Sequence, residues 1–349
     1  MRWHRRGAGP CLVALYLALA GFGVSADETS LTDIDYRLGS GLRIPATGFA
    51  LGGYANVNYH DDPHGPSRTA LHNLSLFVWW EGEGRWKFFS ELDYENLLSS
   101  GPDSLESENE GRYLALERLY FDYSLNDSTN IRAGKFLTPI GRWNLIHATP
   151  LVWTTSRPLV TNQVFPTNVT GLMATGTLPA KAIGIEYSLY ASNGREIRSN
   201  PAQDPFYEVV GGHLALPLAE GQVGFSWASF EQKKSRDERK RLLGIDFQWS
   251  RQRYEISTEA VYRFSNNGGS WDEKGAFLQV AAPLSERLYA VGRYDAFRKA
   301  RETATTQLWL AGLNYRITPA IVLKAEWISG HNNSIDAPEG FLSSISILF

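Results

Sequence analysis

Between positions 137 and 168 the chain sets the cations Arg142, His147 and Arg157 among aromatic and apolar residues, with no acid between them. The segment opens Leu137-Thr138-Pro139-Ile140-Gly141-Arg142-Trp143-Asn144 and continues through Trp153 and Arg157-Pro158 to Phe165-Pro166; Lys135 stands just ahead of it. Positive groups held where the local dielectric is low act on anions more strongly than the same groups in open water. Pro139, Pro150, Pro158 and Pro166 restrict the backbone and reduce the entropy lost on ordering, which suits a segment of fixed shape. The chemistry on offer is recognition of charge at a confined point.

Other constellations carry less. His60-Asp61-Asp62-Pro63-His64 combines imidazole and carboxylate, as a divalent cation would need, but its setting is that of a solvated loop, so no metal is assigned. No Ser, His and acid converge on one face as a hydrolase requires, so neither an enzyme nor a cofactor is expected. There is no glycine-rich phosphate cradle and no basic patch for nucleic acid. Asn73-Leu74-Ser75 matches a glycosylation triplet, which means little in a bacterial-type export context.

What must position these residues follows from the ends and the periodicity. Arg2, Arg5 and Arg6 precede an apolar run from Cys11 to Gly23 and then Val24-Ser25-Ala26, the layout of a secretory signal peptide over residues 1–26. Cleavage there would remove the single cysteine and three arginines, taking the net charge from −3 to about −6. No disulfide could then hold the chain. No helix-length apolar run follows, so a closed β-barrel is the remaining way to live in lipid.

After a short periplasmic segment, residues 27–48, apolar and polar residues alternate at period two from Phe49 to Phe349, in segments of about ten residues. Tyr254, Ile256, Thr258, Ala260, Tyr262 and Phe264 face away from Arg253, Glu255, Ser257, Glu259, Val261 and Arg263. Short turns, such as Glu81-Gly82-Glu83-Gly84, alternate with longer polar stretches near 60–70, 97–114, 137–168, 193–206, 232–239, 266–273, 299–304 and 331–339. The fold expected is all-β: a transmembrane antiparallel barrel of about 16 strands over residues 49–349, with short periplasmic turns and longer external loops, in the bacterial outer membrane. A β-sandwich would not alternate its loop lengths so strictly.

The polar parity defines an inner wall. Its bases are Lys87, Arg118, Arg132, Arg253, Arg263, Arg293, Arg316 and Lys324; its acids are Glu91, Asp93, Glu95, Asp122, Glu186, Asp246, Glu255, Glu259, Asp295 and Glu326. The two signs nearly balance, so these are expected to be solvated or paired with one another. Charge preference would then rest on Arg142, His147, Arg157 and Lys135 at the constriction, with wall arginines such as Arg263 and Arg293 contributing little.

The stretch Ala133-Gly134-Lys135-Phe136-Leu137-Thr138-Pro139-Ile140-Gly141, with Gly52-Gly53-Tyr54 of the first strand, resembles the phosphate-selective porin O/P family and the wider porin superfamily. The terminal Ile345-Ser346-Ile347-Leu348-Phe349 resembles the signal by which outer-membrane barrels are recognised for assembly. These resemblances imply a passive diffusion channel for small hydrophilic solutes, often anions, commonly a homotrimer. Its third external loop, here 137–168, would fold inward to set the narrowest point. The partners implied are outer-membrane lipid and lipopolysaccharide, the barrel assembly machinery and small solutes. The competing expectation is a surface binding or adhesion barrel with a filled lumen. About 16 strands would leave an aqueous lumen, where about 8 would not.

Overall fold

The computed structural model describes residues 34–100, 113–146, 148–180, 183–197 and 203–349. The expected signal segment 1–26 and His147 lie outside the described residues. Two short strands, β1 (Asp35–Arg37) and β2 (Gly41–Ile44), form a hairpin whose second arm pairs with the next strand at Leu42–Ile44.

The barrel strands are β3 (Phe49–Asp61), β4 (Arg68–Glu81), β5 (Trp86–Ser100), β6 (Tyr113–Asn126), β7 (Thr129–Leu137), β8 (Asn168–Ala180), β9 (Ile183–Ser192) and β10 (Phe206–Leu218). They continue as β11 (Gly221–Gln232), β12 (Ser235–Arg251), β13 (Tyr254–Ser265), β14 (Glu273–Pro283), β15 (Leu288–Arg298), β16 (Thr306–Thr318), β17 (Ile321–His331) and β18 (Gly340–Leu348). Each pairs antiparallel with the next, and β18 returns to β3 in a register that sets Ile345 against Val57. The result is a closed 16-stranded antiparallel barrel with no unpaired edge for lipid to meet.

The seam depends on one glycine. Gly53 and Phe349 exchange backbone hydrogen bonds at 2.8 Å in both directions, and the Phe349 ring lies where a side chain on Gly53 would begin. A Cβ there would also meet the Ser75 carbonyl at 2.0 Å. The Gly52-Gly53-Tyr54 of β3 therefore seats the last residue.

Pleat alternation sorts the two faces. Leu172, Trp309 and Trp327 are about 60% exposed, whereas Ser75 and Asp295 are fully buried. The outer face carries an apolar girdle of the kind lipid covers, and most of the buried polar residues lie inside. One expected external loop is absent. Only Lys233 and Lys234 separate β11 from β12, and most of the stretch 232–239 is strand. Arg239 pairs with Glu208 at 2.6 Å and reaches Glu231 at 3.7 Å, so charged residues extend the ladder beyond the apolar girdle instead of forming a loop.

Candidate functional site

The connection between β7 and β8 turns into the barrel. Its neck is closed by Thr138 N–H donating to the Thr167 carbonyl at 2.8 Å, while the Asn144 amide donates to both the Thr138 and Thr167 carbonyls. Gly141 follows with φ +64°; a Cβ on it would stand 2.2 Å from the Glu259 carboxylate. Only glycine allows both that left-handed turn and that approach.

Wall charges then hold the segment from below and from the sides. Glu259 accepts the backbone N–H of Arg142 and of Trp143 at 2.8 and 2.6 Å, at the start of the one-turn helix Trp143–Ile146. Glu326 accepts from Thr155 and Ser156 with its two oxygens, and Asp295 accepts from Leu159. Arg293 donates at 2.8 Å to the Thr154 hydroxyl and to the Ser156 carbonyl and hydroxyl, and it pairs with Asp295 at 2.7 Å. Lys324 reaches the Thr149 and Thr154 carbonyls, and Arg263, paired with Glu273, reaches that of Val164. Charge-assisted bonds of this kind are about twice as strong as neutral ones. Arg263 and Arg293, expected to be bystanders on the wall, are anchors of the inward segment.

Apolar packing completes the fixation. Phe136, Ile140, Trp143, Val160, Val164 and Phe165 are buried against inward-facing Phe206, Phe230, Leu242, Phe277, Phe297 and Leu308 of the wall. Each such side chain contributes about 1.5–3 kcal/mol. These inward hydrophobes escape a parity reading, because a strand apolar on both faces, as at Ala276-Phe277-Leu278, shows no alternation. Their only signal is that lapse.

The expected constriction residues separate. The Arg142 guanidinium donates to Gln222 at 2.9 Å and borders a cavity of about 140 Å³ lined also by Asp246, Glu255, Gln279 and Arg316. Arg157 stacks over Trp143 at 4.8 Å and is directed the other way, toward Glu117, Glu95 and Tyr54. Burial lowers its pKa from the usual arginine value, and the two glutamates oppose that effect. Lys135 is a correction. Its register partners Leu119 and Thr170 place it on the outer parity, where it pairs with Glu196 of the β9–β10 connection at 3.1 Å.

The remaining wall residues fall into three settings. Glu91 pairs with Arg118 at 2.5 Å, Asp122 with Arg132 at 2.7 Å, and Asp93 accepts from Asn73 at 2.9 Å. Arg316 stacks over Trp153 of the inward segment at 4.7 Å, and Lys87 sits in an exposed pair with Glu81. Arg253, expected on the wall, is instead a turn residue with φ +75°, bracing the next turn through the Ser285 and Glu286 carbonyls. A feature not foreseen is the aromatic row Tyr54, Phe77, Phe89 and Tyr120 across β3–β6, with rings 5.5–5.8 Å apart. Arg118 lies over Phe89 and Arg132 over Tyr120, at 4.5 and 3.6 Å. Below it a polar recess of about 450 Å³, lined by Arg85, Lys87, Asp122 and Asn130, opens toward the short-turn end.

No protein-family model matches the sequence. An uncharacterized protein of Aquifex aeolicus is 30% identical over 122 residues, 34% of this chain and 27% of that protein, so the chain spans about a quarter of that relative's length. Solved structures share the fold at low identity. The anion-selective porin from Comamonas acidovorans has a TM-score of 0.59 at 12% identity, covering 86% of this chain and 98% of that one. The outer-membrane channel DcaP of Acinetobacter baumannii has 0.57 at 12%, covering 89% and 100%. In-vitro folded OmpT of Vibrio cholerae, in its trimer form, has 0.57 at 8%, covering 86% and 99%. The fold is thus that of outer-membrane porins and channels, and a closed barrel wearing this apolar girdle belongs in the bacterial outer membrane.

Proposed function

We propose that the chain is a passive diffusion channel for small hydrophilic solutes, with the inward segment 138–167 setting its narrowest point. The observation that carries this reading is the anchoring of that segment to the inner wall by Glu259, Arg293, Asp295, Lys324 and Glu326. So many charges spent on one loop hold a fixed obstruction inside a barrel wide enough for an aqueous lumen. The fold shared with porins and channels supports it.

Anion preference is part of the same proposal. Arg142 and Arg157 put two guanidiniums on a segment that carries no acid, and charges at a constriction select the opposite sign. Reversal potentials of the purified protein in planar bilayers under a salt gradient test this. Anion selectivity is expected; no conductance at all would overturn the channel reading. Assembly as a homotrimer is proposed on the family resemblance and on the trimer form of the similar V. cholerae barrel. A second reading, a filled barrel whose loops bind a partner, draws on the burial of Tyr54, Ser75, Glu91 and Asp93 at mid-height opposite the segment. It predicts a closed, non-conducting barrel, so the same bilayer measurement separates the two.

A further inference from the structure

On the outer face of β13–β15 three alanines stand side by side. Ala260 is in register with Ala276, and Ala276 with Ala296. The row above them is Tyr262, Lys274 and Arg298, and the row below is Thr258, Leu278 and Tyr294. The small side chains beneath that upper row leave a trench of about 540 Å³, bounded by Tyr262, Lys274 and Arg298, continued by Leu243 and Ile245 of β12 and lined almost wholly by apolar atoms.

Height on the barrel gives the trench its meaning. Lys274 and Arg298 sit at the ends of β14 and β15 that lead into or out of long connections, the external end by the asymmetry of barrel loops. Neither has a carboxylate within ion-pair distance among the described residues; the nearby Asp272 is engaged by the Tyr262 hydroxyl and the Ser265 N–H. Two cations directed at the lipid side are costly at the bilayer centre and tolerated at the interface, where they can meet headgroup phosphates.

We propose that this trench is a docking site for the lipid A part of lipopolysaccharide, one acyl chain lying over Ala260, Ala276 and Ala296 and its phosphates held by Lys274 and Arg298. The argument is charge and shape together: an apolar trench in the outer-leaflet half, closed at its external end by a pair of cations. It rests on the outer-membrane placement of the barrel and not on conduction.

Native mass spectrometry of the delipidated protein tests the proposal with three probes: bis-phosphorylated lipid A, its dephosphorylated form, and phosphatidylglycerol. Wild type is expected to retain bis-phosphorylated lipid A at least tenfold better than the other two. Lys274→Glu with Arg298→Glu should abolish that preference, and the milder Lys274→Gln with Arg298→Gln should reduce it. Ala276→Trp fills the trench and should weaken both lipid A forms alike. Heat-modifiable migration confirms that each variant is folded, and the milder pair stands in if the charge reversal is not. Channel conductance should be unchanged, which distinguishes failure here from failure of the channel reading. Equal retention by wild type and the charge variants, or equal binding of phosphatidylglycerol, would overturn the proposal. So would loss of oligomer without loss of lipid in Ala276→Trp, which would make the trench a contact between copies.

Discussion

At the scale of single residues, the charges inside the barrel divide into those that hold the inward segment and those that do not. Arg293 is the clearest holder, with no exposed side-chain surface and bonds to Thr154, Ser156 and Asp295. Arg293→Ala would leave Asp295 buried without its partner and strand the loop acceptors, a loss of about 3–5 kcal/mol. The expected result is a larger and noisier single-channel conductance, because the obstruction is released. Arg157 is the contrasting case, buried over Trp143, with one side-chain hydrogen bond among the described residues, to Asn144 at 3.5 Å. Arg157→Glu should therefore shift the reversal potential toward cation selectivity, most clearly at low salt, where screening is weakest. The same change at Lys87, in an exposed pair with Glu81, should do much less. Reversal potentials that move equally in both variants would place the selectivity elsewhere than on the segment.

At the scale of elements, closure rests on the meeting of β18 with β3. Phe349 contributes two backbone bonds to Gly53 and a ring that lies over that glycine. Removing Phe349 should lower the amount of folded barrel in the membrane fraction, since an unclosed edge leaves backbone groups unsatisfied in lipid. Gly53→Val should do the same with the C-terminus intact, because its side chain would collide with both the ring and the Ser75 carbonyl. Heat-modifiable migration on gels reads both outcomes; unaltered assembly of Gly53→Val would mean that the seam tolerates a different approach. The inward segment is a second such element. Its neck is tied by Asn144 to the Thr138 and Thr167 carbonyls, so Asn144→Leu should loosen the whole loop without touching a wall charge.

At the scale of the molecule, the barrel is expected to give a β-rich circular dichroism spectrum in detergent and to migrate faster on gels before heating than after. A helical spectrum would be incompatible with sixteen strands pairing in sequence around a closed sheet. Cross-linking in membranes is expected to trap a trimer, and only monomer under conditions that trap a known trimeric barrel would remove that proposal.

Period-two alternation determined which residues of β13 face outward, because a strand's side chains alternate whatever surrounds them. With the loop-length asymmetry and the absence of long apolar helices, that was enough for the barrel, its strand number and its membrane. Local pattern says nothing about what an inward side chain meets across the lumen. Glu259 contacts Arg142 and Trp143 more than a hundred residues away, and Glu326 contacts Thr155 and Ser156 at still greater separation. Only the closed tertiary structure decided that these acids, with Arg263, Arg293 and Lys324, anchor a loop instead of lining a free pore. Lys135 shows the same limit: sequence proximity put it with the constriction, whereas the pleat turned it outward to Glu196. Whether a charge in a barrel serves structure or solute depends on partners brought together by ring closure, and closure is a property of all sixteen strands at once.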